Sequence, residues 1–325
     1  MKHEEEMMED LSHHTIEDFM AEAVKEIIEK LGEFDLGEAI EDGIHRVQKP
    51  LAMVKEEHAV YQGEWIIGQD IRDGRGSQVW EDGSRYDGHW RNNMMDGRGR
   101  VVHADGDVYE GDWDENRAHG KGIFIGKDGT RYEGDWVQDA QHGFGIEHWP
   151  DGTVYEGDFD QGKKEGKGTF TWADKAHYTG DISENDLNGV GTYKWVDGRV
   201  YTGEWKDNKM HGHGVYSWPD GKKYTGQYVD DKKQGEGTFV WPDGQKYIGQ
   251  WYDGKQHGRG IFVNSKGVER LSEWADGKRL RWLKRKEGVS PRGSHVSGGS
   301  GNERQSLDRL KLQEMAEQQK SAEKK

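Results

Sequence analysis

The 325-residue chain has no cysteine, which excludes a disulfide framework and any Cys-ligated zinc and fits a reducing compartment. Only 31% of its residues are hydrophobic, and no stretch approaches the roughly 18 consecutive apolar residues that read as a membrane-spanning helix. Met1 to Asp10 is acidic rather than basic and then apolar, which argues against a secretory signal. These absences predict a soluble cytoplasmic protein. Positive charge is also short, with 46 Lys and Arg against 62 Asp and Glu, a formal charge of −16. Residues 1–57 carry 6 basic and 17 acidic side chains and residues 278–325 carry 13 and 6, which leaves −12 on the body between them. A body this acidic repels phosphate backbones, so nucleic acid is not an expected partner.

What the chain has in excess is glycine, 48 residues, together with 14 Trp, 13 Tyr and 8 Phe. Aromatic rings must replace aliphatic side chains as packing material, which favours β-structure. Tyr61, Tyr86, Tyr109, Tyr132, Tyr155, Tyr178, Tyr201, Tyr224 and Tyr247 stand 25 residues apart once and then 23 apart seven times. Most open Tyr-x-Gly-x-aromatic, as in Tyr109, Gly111 and Trp113. Gly-x-Gly follows, as at Gly120 and Gly122 or Gly212 and Gly214, and then commonly Trp with an Asp-Gly turn, as in Trp218, Asp220 and Gly221. Alternation along a strand places Tyr, Gly and Trp on one face. Glycine there leaves room for a ring to lie across the backbone. Each copy is therefore a hairpin, with the Asp-Gly dipeptide as its tight turn and a stretch such as Asp114 to His119 as the wider loop. The other face, bearing residues such as Ile123, Thr169 and Val240, reads as the wetter one.

These residues resemble the MORN (membrane occupation and recognition nexus) repeat family over about Tyr61 to Trp274, with the His-Gly-x-Gly form at His119, His142, His211 and His257. Protist and ciliary MORN proteins, including radial-spoke components, look most similar. The resemblance implies an elongated, twisted, single-layer antiparallel sheet of tandem hairpins with an aromatic-lined groove. It also implies a scaffold of cilium, axoneme or cell-cortex cytoskeleton rather than an enzyme, the alternatives being a phosphoinositide or membrane-contact adaptor, or a regulatory subunit of a separate enzyme. The expected partner is a protein helix or extended peptide, gripped by Tyr132, Trp136, Tyr155, Tyr201 and Trp205; homodimerisation is a further expectation.

No cofactor or metal is expected. Every Gly-x-Gly sits at one phase of a hairpin and none ends in Gly-Lys-Ser/Thr, so they are not phosphate loops. Histidines at one phase of consecutive copies, such as His119 and His142, stand two strands apart, about 10 Å, too far to share a zinc ion. The best local pair is His211 and His213.

The expected layout is a disordered acidic segment over 1–14, an amphipathic helix and linker over 15–48, the array over 49–277, a basic cap over 278–289, and a Ser/Gly linker with a short helix over 290–325. The helix prediction rests on Ile16, Phe19, Met20, Ala23, Val24, Ile27 and Leu31 at helical spacing, with Thr15 and Asp18 as a cap and Gly32 as the stop. It packs on the sheet or on a partner. Unit six, where Lys175 replaces the turn glycine and Ile182 the tryptophan, predicts a kink or a loosened seam. Pro50 to Val60 has the phase of a degenerate leading strand. Lys278, Arg279, Arg281, Lys284, Arg285 and Lys286 form a basic patch suited to anionic polymer tails or phosphoinositides, or simply a cap.

Overall fold

The computed structural model describes residues 11–37 and 42–283. The described residues form two compact units, divided between Lys163 and Lys164. Ten antiparallel strands run through the first, from Arg46–Val54 to Val154–Asp160, and eleven through the second, from Lys163–Thr171 to Lys278–Trp282. Within each unit a strand pairs with those before and after it in sequence.

The hairpin turns are the reverse of the sequence reading. Strand Val108–Asp114 passes into strand Arg117–Ile125 through two residues, Glu115 and Asn116, both left-handed at φ +48° and +68°. The Asp-Gly dipeptide belongs to the wider connection: Trp149 N–H donates to Thr153 O at 2.9 Å, with Gly152 at φ +87° between them. A two-residue turn with two positive φ angles matches the twist of the flanking strands. In most copies Asn or Asp stands in its second position, where the side chain acts on the neighbouring hairpin; Gly162, Gly254 and Gly277 take that place in the others. Asn208 N–H donates to Leu187 O at 3.2 Å, while Asn208 Oδ1 accepts from Leu187 N–H at 2.7 Å. Asn116 with Met95 and Asp139 with Ala118 repeat the pair.

Unit six is not loosened. Its strands His177–Ser183 and Asp186–Lys194 keep the pairing of the other copies, Ile182 is buried in place of the ring, and Lys175 takes the glycine conformation at φ +73°. Left-handed backbone costs a residue with a Cβ about 1–2 kcal/mol. Lys175→Gly is therefore expected to stabilise the protein by about 1 kcal/mol, read as a higher urea midpoint at unchanged slope. A lower midpoint would show that the lysine's side chain contributes more than its backbone costs.

Strand Arg46–Val54 pairs with strand Ala59–Ile66 as the leading strand, its register slipping between Lys49 and Ala52, where Pro50 removes a donor. The N-terminal segment breaks in two. The Thr15 and Asp18 cap is present, Thr15 N–H donating to Asp18 Oδ2 at 2.8 Å, but it opens only a short 3-10 turn, Ile16–Phe19. The α-helix is Glu22–Leu31. Met20 and Ala21 are extended between them, which lets Ala21 N–H donate to Gly83 O at 3.2 Å. Arg100 Nη1 donates to Gly32 O at 2.8 Å at the other end. Ile16, Met20 and Val24 pack on Val60, Val79, Val102 and Val108. These valines alternate with the tyrosine-face residues, so in this unit the face expected to be wet is covered by the helix.

Candidate functional site

Two rows of rings share the tyrosine face, and the difference between them decides where a partner can touch. The first row is the motif Tyr and Trp. Tyr132 lies over Gly134 and Gly145, its neighbours on the same strand and the next; a Cβ built on Gly145 would stand 2.5 Å from Tyr132 Cε2. Its hydroxyl donates to Asp135 O at 2.9 Å. Trp136 Nε1 donates to Gly122 O at 3.2 Å in the preceding hairpin, and its ring stands edge-on to Tyr132 and Tyr109 at 5.2 Å from each. Such perpendicular pairs are the preferred aromatic geometry. Tyr201 and Trp205 repeat the arrangement, Trp205 Nε1 reaching Gly191 O at 3.2 Å.

All five residues expected to grip a partner are thereby sealed: Tyr132, Tyr155 and Tyr201 are 0% exposed, Trp136 8% and Trp205 7%. The reason lies beneath the rings. A tyrosine over two glycines drops onto bare backbone, and rings on either side close over it, Trp136 and Phe159 for Tyr132 and Trp205 and Tyr228 for Tyr201. These are core residues, not contact residues.

The second row belongs to the second unit. Two and four residues after the second glycine, four successive copies place Phe170 and Trp172, Tyr193 and Trp195, Tyr216 and Trp218, Phe239 and Trp241. Phe239 is cross-strand from Tyr224 on one side and Tyr247 on the other, so no glycine opens under it and it stands above the first row. Neighbouring rings meet in sequence, tilted or edge-on to one another: Trp172 and Tyr193 at 5.0 Å, Tyr193 and Trp195 at 4.6 Å, Trp195 and Tyr216 at 5.2 Å, Tyr216 and Trp218 at 4.4 Å, Trp218 and Phe239 at 5.7 Å, and Phe239 and Trp241 at 4.7 Å. Phe262 and Trp282 continue the column. Tyr216 is buried, whereas Trp172, Tyr193, Trp195, Trp218, Phe239 and Trp241 are half-buried. Trp172, Tyr193 and Trp195 line a hollow with Leu187 and Met210, edged by Asn208 and Asp231. In the first unit the same positions hold Gln78 and Trp80, Val101 and His103, Phe124 and Gly126, and Glu147 and Trp149, which make no such column.

This repeating geometry coincides with a family model, the MORN repeat, matched nine times: 61–85, 86–108, 109–131, 132–154, 155–176, 178–198, 201–223, 224–246 and 247–268. The chain belongs to the MORN-repeat family. The MORN array is also similar in structure to the TCP10 domain of Danio rerio CPAP, solved with a peptide of Danio rerio STIL, at a TM-score of 0.40 and 14% identity, covering 74% of this chain and 100% of that one. A second similar structure is the SAS-4 TCP domain of Drosophila melanogaster, solved with a proline-rich motif of Ana2, at 0.31 and 14% over 55% of this chain and 95% of that one. No curated protein matches the sequence.

Elsewhere the polar residues of the MORN motif serve the backbone. Asp112 Oδ2 accepts from Lys121 N–H at 3.0 Å, Asp135 Oδ2 from Phe144 N–H at 3.2 Å and Asp181 Oδ2 from Val190 N–H at 2.7 Å, each at the bulge where the first glycine has positive φ. His211 and His213 turn toward different carboxylates, Asp230 at 3.9 Å and Glu204 at 3.6 Å. In the basic patch, Arg281 Nε donates to Glu273 Oε2 at 2.6 Å, Arg279 lies 4.0 Å over Trp282, and Lys278 is exposed. Ser272, in a glycine's place, relays a hydrogen bond: Trp274 Nε1 donates to Ser272 Oγ, which donates to Gly260 O at 2.9 Å. Lys284, Arg285, Lys286 and the expected linker and helix of 290–325 lie outside the described residues.

Proposed function

We propose that the protein is a scaffold that binds an extended peptide of a partner protein along the aromatic column of its second unit. The observation that carries the reading is the column itself: consecutive rings in contact, most of them half-buried, on paired strands. Preordered rings lose little entropy on binding and bury large apolar area, the character of interface anchors. Successive copies are two strands apart, about 9.6 Å. A polyproline II peptide advances about 9.3 Å in three residues, so every third side chain meets an equivalent ring pair. An apolar residue at each third position is the partner pattern that fits. A site of action at a cilium or the cytoskeleton is part of the proposal and is supported by the resemblance to MORN proteins alone. Binding to anionic lipid through the basic patch is a weaker reading, because Arg279 and Arg281 are engaged within the chain.

The triple change of Trp172, Trp195 and Trp218 to threonine tests the proposal. These rings are half-open, so the β-sheet circular dichroism is expected to persist while co-precipitated partners drop at least about tenfold, roughly 1.4 kcal/mol of binding. Unchanged co-precipitation by a folded triple variant would remove the column from the binding surface.

A further inference from the structure

We propose that Lys233 receives an Asp or Glu side chain of the peptide that lies on this column; the proposal rests on the peptide-binding reading and names the chemistry of the partner. Lys233 stands in strand Lys232–Val240, cross-strand from Tyr228. Its Nζ lies 4.9 Å from the ring of Trp218, 5.1 Å from Tyr224, 5.2 Å from Trp251 and 5.3 Å from Phe239. Ring faces attract a cation but leave the three ammonium donors without acceptors. Among the described residues no carboxylate or other acceptor answers them. Burial lowers the pKa of Lys233 to about 8, the direction of a charge that lacks a partner. Lys233 is nevertheless half-buried rather than sealed. The shielded, unpartnered side-chain atoms among the described residues are Trp65 Nε1, His119 Nδ1, Arg199 Nε, His211 Nδ1 and Tyr228 Oη, and Lys233 Nζ is not one of them.

The same molecule contains the completed form of this arrangement. Arg72 occupies the equivalent place in the first unit, with its guanidinium 4.5 Å from the ring of Trp90 and 5.7 Å from that of Tyr61, as Lys233 lies on Trp251 and Tyr224. There the chain supplies the anion itself. Glu57, from the 3-10 turn Lys55–Glu57, accepts from Arg72 Nη1 at 3.0 Å and from Gln78 Nε2 at 2.8 Å. Lys233 has the rings and the cation without a Glu57. The column continues on both sides, to Trp218 one way and Trp241 the other, so a peptide following it passes Lys233 in mid-course. The carboxylate is therefore a side chain and not a C-terminus. Repulsion from the acidic body is screened beyond about 8–10 Å, which leaves the choice to this contact.

The test is selection from a random-peptide phage library, the peptides fused through their C-termini so that none has a free carboxylate there, on the full-length chain and its Lys233→Met and Lys233→Arg variants. Methionine keeps the apolar stem in the rings, and thermal melts confirm folding. Wild type and Lys233→Arg are expected to enrich Asp or Glu at one position at least fivefold over the library, with flanking apolar residues or proline. Lys233→Met is expected to keep the flanking pattern and lose the acid. Enrichment without an acidic position, or an acidic position that survives Lys233→Met, overturns the role of Lys233 and leaves the column intact as a peptide site. No enrichment on any of the three overturns both.

Discussion

Raised from pH 9 to 12, the protein is expected to lose its sheet in a steep transition in which tyrosinate absorbance and circular dichroism change together. Burial raises the phenol pKa of Tyr61, Tyr86, Tyr109, Tyr132, Tyr178, Tyr201 and Tyr224, and takes Tyr247 up to about 12. An unfolded tyrosine ionises near pH 10. Below about pH 10 both states hold the proton and the contribution of these rings is intact. Above it the unfolded chain releases protons that the folded chain retains, so stability falls with pH until the folded values are passed. Each such tyrosine removes about 1.4 kcal/mol per pH unit in that window, so four within one compact unit remove about 5.6 kcal/mol per unit of pH. Lys233 acts the other way: its lowered folded pKa means that stability rises from about pH 8 until the unfolded lysine deprotonates near pH 10.4, too small a term to offset the tyrosines. Tyrosinate formation near pH 10 with the sheet intact would mean the rings are open to water.

Gly145→Ala is expected to cost about 3 kcal/mol or more, well above Gly152→Ala, although both glycines belong to one copy of the motif. At Gly145 the added Cβ would stand 2.5 Å from Tyr132 Cε2 and Oη and 2.6 Å from Cζ. The ring has no lateral escape because Trp136 and Phe159 stand edge-on at 5.2 Å and 5.0 Å. Gly152 has open space around its Cβ position and only its φ of +87° to lose, about 1–2 kcal/mol. Urea midpoints for the two variants measure the contrast. The steric account also requires non-additivity: in Gly145→Ala with Tyr132→Ala, the double change should cost less than the sum by at least about 1 kcal/mol. Additive costs would show that Gly145 is needed for some reason other than the ring above it.

Much of this architecture is legible in the amino-acid order because the fold is made of local pairings. The 23-residue spacing of tyrosines, the glycines two residues on and the bare backbone they imply lead directly to a ladder of hairpins. The turn assignment inverted because Asp-Gly is the stronger local signal. The turn Glu115 and Asn116 is left-handed, and the Asn116 side chain bonds to Met95 in the preceding hairpin, which is not a local property. The break at Met20 and Ala21 has the same origin, in the carbonyl of Gly83. For the binding face, the most regular rings were the wrong ones to choose. Regularity at Tyr132 and Tyr201 reflects the glycines they cover, whereas the signal that would have found the exposed column is a second pair of aromatics, Phe170 and Trp172 to Phe239 and Trp241, confined to four copies.

The chain order by itself determined the repeat, the strand direction and the partnership of tyrosine with glycine, since each follows from side-chain alternation over a few residues. Only the tertiary structure decided which rings are covered, which face the helix Glu22–Leu31 occupies, and that Arg72 has an acid beside it while Lys233 has none. Exposure and charge compensation depend on what neighbouring hairpins place overhead, and 23-residue periodicity makes those neighbours look alike until their side chains are set in space.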